Sequence, residues 1–177
     1  MIPVTKPHLP DKAKLYSYID EIYQTERLTN NGPLHDKLKA RLESYLGVEN
    51  LLLVANGTLA LQIAFKALNI KSDLRVKSEV ITSPFSFVAT ASSMVWEGLK
   101  PVFCDVDKQT WCLDSQLIES HITEHTKAIV PVNIYGNACN HEEIQKVASN
   151  NGLKVIYDAS HAFGVKFEGK SESPLIC

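Results

Sequence analysis

Three features of this 177-residue sequence predict an α/β fold with a mainly parallel sheet. Short apolar runs rich in β-branched residues recur along the chain, as at residues 80–82 and 128–132. Each is followed by turn residues and then by a stretch of helical periodicity. Strands that alternate with helices of this length need crossover connections, which are right-handed and set neighbouring strands parallel.

The elements follow in order. Residues 1–10 are proline-rich without periodicity and read as an arm. Asp11 is placed to cap a helix whose apolar residues Leu15, Tyr18, Ile19, Ile22 and Tyr23 recur at helical spacing. The turn Leu28-Thr29-Asn30-Asn31-Gly32-Pro33 ends it, and a second amphipathic helix carries Leu34, Leu38, Leu42, Tyr45 and Leu46 up to a stop at Gly47. Residues 51–54 read as a short strand, and residues 59–68, apolar nearly all round, as a buried helix. Strand 80–82 ends at Pro84, and helix 87–96 is closed by Gly98. Strand 101–106 precedes a helix capped by Asp114 that runs through Leu117, Ile118 and His121. Strand 128–132 precedes a helix opened by the capping box Asn140-x-x-Glu143, with Asn151-Gly152 as its stop before strand 154–157.

Composition narrows the function classes. A net charge of -2 gives no electrostatic reason to expect a nucleic acid or anionic membrane as partner. No apolar run approaches the roughly 20 residues of a membrane span, and the N-terminus lacks a signal-peptide pattern. Cys104, Cys112, Cys139 and Cys177 are spread without C-x-x-C or zinc-ligand spacing, as expected of free thiols in a reducing cytoplasm. His121 and His125 are four apart, but Ile122 stands where a zinc protease needs its Glu, so no metal is expected.

Three strand ends carry chemistry. In Ala55-Asn56-Gly57-Thr58 a glycine lets backbone N–H groups approach an anion at a helix N-terminus, and Thr58 adds a hydroxyl. The turn matches neither dinucleotide nor nucleoside-triphosphate fingerprints. In Ser83-Pro84-Phe85-Ser86-Phe87-Val88-Ala89-Thr90 an aromatic can stack on a planar ring, although core packing of Phe85 and Phe87 is as common. The last strand delivers Asp158 to its carboxyl end, where open α/β sheets bind ligands, with His161 close behind. Capping of the turn by Asp158 is the bland alternative. Together these features suit the phosphate, face and ring nitrogen of pyridoxal 5′-phosphate.

The sequence also resembles the DegT/DnrJ family of pyridoxal-phosphate-dependent nucleotide-sugar aminotransferases. The landmarks are the 28–33 turn, Asn56-Gly57-Thr58-Leu59-Ala60-Leu61, Pro84 to Thr90, Phe103-Cys104-Asp105-Val106-Asp107, Pro131-Val132-Asn133-Ile134-Tyr135-Gly136 and Asp158-Ala159-Ser160-His161-Ala162-Phe163-Gly164. The resemblance implies a three-layer α/β/α large domain of the fold type I transferases. An N-terminal arm and helix would occupy 1–33, a partial large domain 34–177, and the small C-terminal domain would be absent. It implies that Gly57 and Thr58 hold the cofactor phosphate, Phe87 stacks on the ring, Asp158 pairs with the ring nitrogen and His161 contacts the ring hydroxyl. The wording is nearest to members that aminate dTDP-linked 4-keto-6-deoxy sugars. Glutamate would be the donor and a cytoplasmic homodimer the working form.

One departure stands out. The family's Schiff-base lysine lies in a Ser-Phe-x-x-x-Lys-like segment beyond Cys177, and neither Lys166 nor Lys170 has that context. No catalytic residue is therefore assigned, and the chain is expected to be truncated and inactive alone. A non-catalytic remnant and a lysine-free sugar dehydratase of the same family are the alternatives. Without later strands, residues 51–54 would also lack neighbours for their backbone groups.

Overall fold

The computed structural model describes residues 5–29, 31–73, 75–167, 170–171 and 175–176. The start of the expected arm (1–4), Asn30 of the first turn, the 168–169 turn and Cys177 lie outside the described residues. The chain divides into two compact units, Met1–Leu52 and Leu53–Cys177.

The first unit holds α1 (Lys12–Thr25) and α2 (Pro33–Leu46). The Asp11 carboxylate accepts from Lys14 N at 2.8 Å and caps α1 as expected. Gly47 ends α2 in the left-handed conformation (φ 69°), where a side chain would be strained. Lys37 Nζ on α2 reaches Glu21 on α1 at 2.6 Å. The apolar stripes form as spaced but are only partly covered: no residue of either helix is fully buried, Tyr18, Ile22, Leu34, Leu42 and Leu46 are half-buried, and Tyr23 and Tyr45 are exposed.

The second unit is an open sheet with helices on both faces. It begins with α3 (Gly57–Ala67), followed by β1 (Glu79–Thr82), α4 (Val88–Trp96), β2 (Lys100–Phe103) and β3 (Thr126–Val130). Then come α5 (His141–Asn150), β4 (Lys154–Val155), β5 (Tyr157–Asp158), β6 (Lys166–Phe167), β7 (Lys170–Ser171) and β8 (Leu175–Ile176). Four strands form a parallel sheet in the order β2-β1-β3-β4. β5 continues the line of β4, because Asp158 N donates to Pro131 O at 2.9 Å and Asn133 N donates to Asp158 O at 3.0 Å. β8 pairs parallel with β5, and β6 with β7 form a small antiparallel ribbon.

Alternation along the strands splits the core in two. Val80, Ala128, Val130 and Ile156 pack with Leu61 and Phe65 of α3 and Met94 of α4. Ile81 and Ile129 pack on the other side with Ile144, Val147 and Ala148 of α5. These are the three layers implied by the resemblance.

Four elements differ from expectation. Residues 51–54 are not assigned to a strand: an apolar run becomes one only where a partner satisfies its backbone. The 59–68 helix is not buried all round. Leu61 and Phe65 are buried, whereas Leu59 and Ile63 are about two-fifths exposed. The strand expected over 101–106 ends at Phe103, because Val106 instead bridges Leu113 across a tight turn. The helix expected after Asp114 is a short 3₁₀ turn, Ile118–His121, so His121 and His125 share no helix face.

Candidate functional site

The carboxyl ends of the strands converge on a cavity of about 260 Å³. Gly57, Thr58, Phe87, Asp158 and His161, every residue singled out as a cofactor contact, line it. Ser86, Thr90 and Ser160 join them.

One wall is the start of α3. Asn56 caps it, its side-chain oxygen accepting from Leu59 N at 2.9 Å. The remaining N–H groups of the first turn and the positive end of the helix dipole are thereby left at the cavity. A Cβ added at Gly57 would stand 3.4 Å from Ser160 Oγ, so the glycine keeps this wall open.

Asp158 forms the floor and is 5% exposed. Thr90 Oγ1, itself buried in the first turn of α4, donates to Oδ2 at 2.9 Å. Ser160 N and Oγ donate to Oδ1 at 3.2 and 2.6 Å. Since the single Thr90 proton is committed to the carboxylate, Ser86 Oγ donates to Thr90 Oγ1 at 2.7 Å. A relay Ser86 to Thr90 to Asp158 results. A buried carboxylate whose two oxygens are so satisfied is fixed in direction.

Phe87 occupies the N-cap of α4 without a side-chain cap bond and is 70% exposed, presenting its ring at the cavity. The core-packing alternative for Phe87 is thus not what the structure adopts. His161 is exposed at the rim, and its ring lies parallel to that of Tyr135 (4°) with centroids 5.7 Å apart. Tyr135 also meets Phe85 edge-on at 6.2 Å, and Phe85 meets Trp111 at 5.4 Å. Tyr135 and Trp111 both have positive φ (53° and 63°), a costly conformation for aromatic residues.

The five residues expected from the sequence are brought to one cavity, whereas the hydroxyl relay and the Tyr135 ring behind His161 were not anticipated. A signal for Thr90 existed: a hydroxyl in the first turn of a helix needs a partner if buried. Nothing local named that partner, which is 68 positions away.

The DegT/DnrJ/EryC1/StrS aminotransferase family model matches residues 11–173. The dTDP-4-amino-4,6-dideoxy-D-glucose transaminase of Escherichia coli is 49% identical over 168 residues, 95% of this chain and 44% of that protein. The crystal structure of DesI in the presence of its TDP-sugar product is 33% identical with a TM-score of 0.86, covering 93% of this chain and 41% of that one. NtdA from Bacillus subtilis, with bound cofactor PMP, is 30% identical with a TM-score of 0.80, covering 97% and 40%. The chain thus spans less than half the length of these relatives.

Proposed function

The chain belongs to the DegT/DnrJ/EryC1/StrS aminotransferase family, and from that premise we propose that its cavity holds pyridoxal 5′-phosphate for transamination of a nucleotide-linked keto-sugar. A dTDP-linked 4-keto-6-deoxyhexose is the substrate we assign and glutamate the donor. The identity to a dTDP-sugar transaminase supports the first of these.

The observation that carries the reading is the buried Asp158 carboxylate, with both oxygens held, in one cavity with the open N-terminus of α3. These residues fit the cofactor. The N–H groups of the α3 turn and the Thr58 hydroxyl are donors for a phosphate, and Gly57 leaves room for it. Asp158 is an acceptor that retains a proton on a pyridine nitrogen. Phe87 offers a ring face, and His161 a polar contact for a ring hydroxyl. When bound, the cofactor supplies an electron sink for breaking bonds at the amino-bearing carbon. The chain's own part is to seat the phosphate, keep the ring nitrogen protonated at Asp158 and hold the ring plane against Phe87.

The test uses pyridoxamine 5′-phosphate, whose amine forms no bond with protein lysines, titrated by its fluorescence change. Saturable binding is expected, weakened at least tenfold by Asp158→Ala and by Gly57→Val. Equal binding by the parent and both variants would refute the assignment.

A further inference from the structure

Two aromatic residues occupy backbone positions that favour glycine. Trp111 (φ 63°) and Tyr135 (φ 53°) are both in the left-handed region, where a bulky side chain crowds its own backbone. Core packing does not offset that strain, because Trp111 is 51% exposed and Tyr135 73% exposed. Strained residues that persist without burial concentrate where a ligand is clamped.

A closed turn holds Trp111 in place. Its N–H donates to Asp107 O at 2.9 Å, and Asp107 N donates to Cys112 O at 2.9 Å. Inside the turn, Asp107 Oδ1 accepts from Thr110 N at 2.8 Å and from the Thr110 hydroxyl at 2.9 Å. The indole therefore projects from a fixed base. It meets Phe85 at 5.4 Å, Phe85 meets Tyr135 at 6.2 Å, and Tyr135 lies parallel to His161 at 5.7 Å. His161 lines the cavity assigned to the cofactor, whereas Trp111 does not. The rings thus form a continuous row that starts at the cavity rim and ends at Trp111.

A nucleotide-linked sugar has a matching order. Its keto carbon must lie at the cofactor, the two phosphates follow the sugar, and the planar base is the part furthest from the reacting carbon. Resting on the nucleotide-sugar reading above, we propose that Trp111 is the stacking platform for the base of that substrate and that Tyr135 flanks its sugar. Stacking needs a flat, preoriented ring with an open face, and the strained turn supplies one. Because every base has a π-face, Trp111 selects for a nucleotide without choosing among bases. It is a specificity-determining residue, favouring the nucleotide-linked sugar over the same sugar carried on phosphate alone. It takes no part in seating the cofactor.

The test uses dTDP as the probe in a Trp96→Phe background, which leaves Trp111 as the single indole. Saturable quenching of its fluorescence by dTDP is expected, with none by 2-deoxyribose 5-phosphate and pyrophosphate, which lack the base. In calorimetry, dTDP affinity should fall about tenfold in Trp111→Gly and stay within about threefold of the parent in Trp111→Phe. Glycine relaxes the backbone at this φ, so the loss reports the ring and not the fold. Both variants should bind pyridoxamine 5′-phosphate as the parent does, because Trp111 lies outside that cavity. Absence of saturable quenching, equal quenching by the base-free probes, or equal dTDP affinity in the parent and Trp111→Gly would overturn the proposal. Quenching by dTDP in a parent that binds no pyridoxamine 5′-phosphate would support it and overturn the cofactor assignment alone.

Discussion

Replacing Thr90 by Val tests whether the Asp158 carboxylate is held by the helix that faces it. The substitution keeps shape and volume, so no cavity is added. It removes one donor, 2.9 Å from Asp158 Oδ2, between a threonine 1% exposed and an aspartate 5% exposed. A hydrogen bond to a buried charged group contributes about 1.5–3 kcal/mol. The adjoining cavity of about 260 Å³ admits water to the stranded oxygen, and Oδ1 keeps both Ser160 donors. The loss should therefore fall at the lower end, about 2 kcal/mol. With a urea slope of about 2 kcal/mol/M, that is a midpoint shift of about 1 M. Thr90→Ser should recover most of it. In an Asp158→Asn background the same substitution should cost under about 1 kcal/mol, because a neutral bond is weaker. A Thr90→Val variant within about 0.5 kcal/mol of the parent, or equal costs in both backgrounds, would refute the reasoning.

Three further outcomes follow from other parts of the second unit. Phe65→Ala empties a fully buried position between α3 and the sheet and should cost about 3–5 kcal/mol in denaturant unfolding. Asn140→Ala removes the side chain that accepts from Glu143 N at 3.2 Å and caps α5, and should cost about 1 kcal/mol by the same measurement. The Glu79 carboxyl is held below the usual range by Lys100 first and then by the Thr123 hydroxyl. A depressed carboxyl contributes stability that is complete above its unfolded pKa, near ~4.3, and is lost as pH falls through the lower folded value. Glu79→Gln should therefore cost about 1 kcal/mol equally at pH 6 and 8, with the gap closing below about pH 4. Titration of the gap between pH 8 and 6 would reject this origin.

The parallel sheet was legible because its strands are buried on both faces. Runs such as 80–82 and 128–130 are apolar without alternation, and each is followed by a helix that covers it. The same signal misled at 51–54 and 59–68. Apolarity records what a segment is able to bury, and the partner that buries it comes from elsewhere in the chain. Hence Ile63 and Leu59 carry a core composition at partly exposed positions. The 3₁₀ turn at Ile118–His121 was hidden for a local reason. Asp114, the cap expected for a helix here, instead accepts from Gln116 N at 3.0 Å, a turn bond that uses the carboxylate four residues before the 3₁₀ turn begins.

The residues that line the cavity could be picked from the sequence one by one, but the way they are held could not. Asp158 is anchored through its backbone by the neighbouring 131–133 segment and by β8, and through its carboxylate by Thr90 and Ser160. Its direction is set by the sheet and by α4 together, as the proposed pairing with a ring nitrogen would require. His161 lies three positions further along the chain, exposed, its ring lying against that of Tyr135. The backbone of Tyr135 is in turn held at positive φ, next to Gly136 at φ 85°. A substitution at Tyr135 should thus reorient His161 while leaving Asp158 untouched, whereas one at Thr90 does the reverse. The two ends of the cavity answer to different segments of the chain.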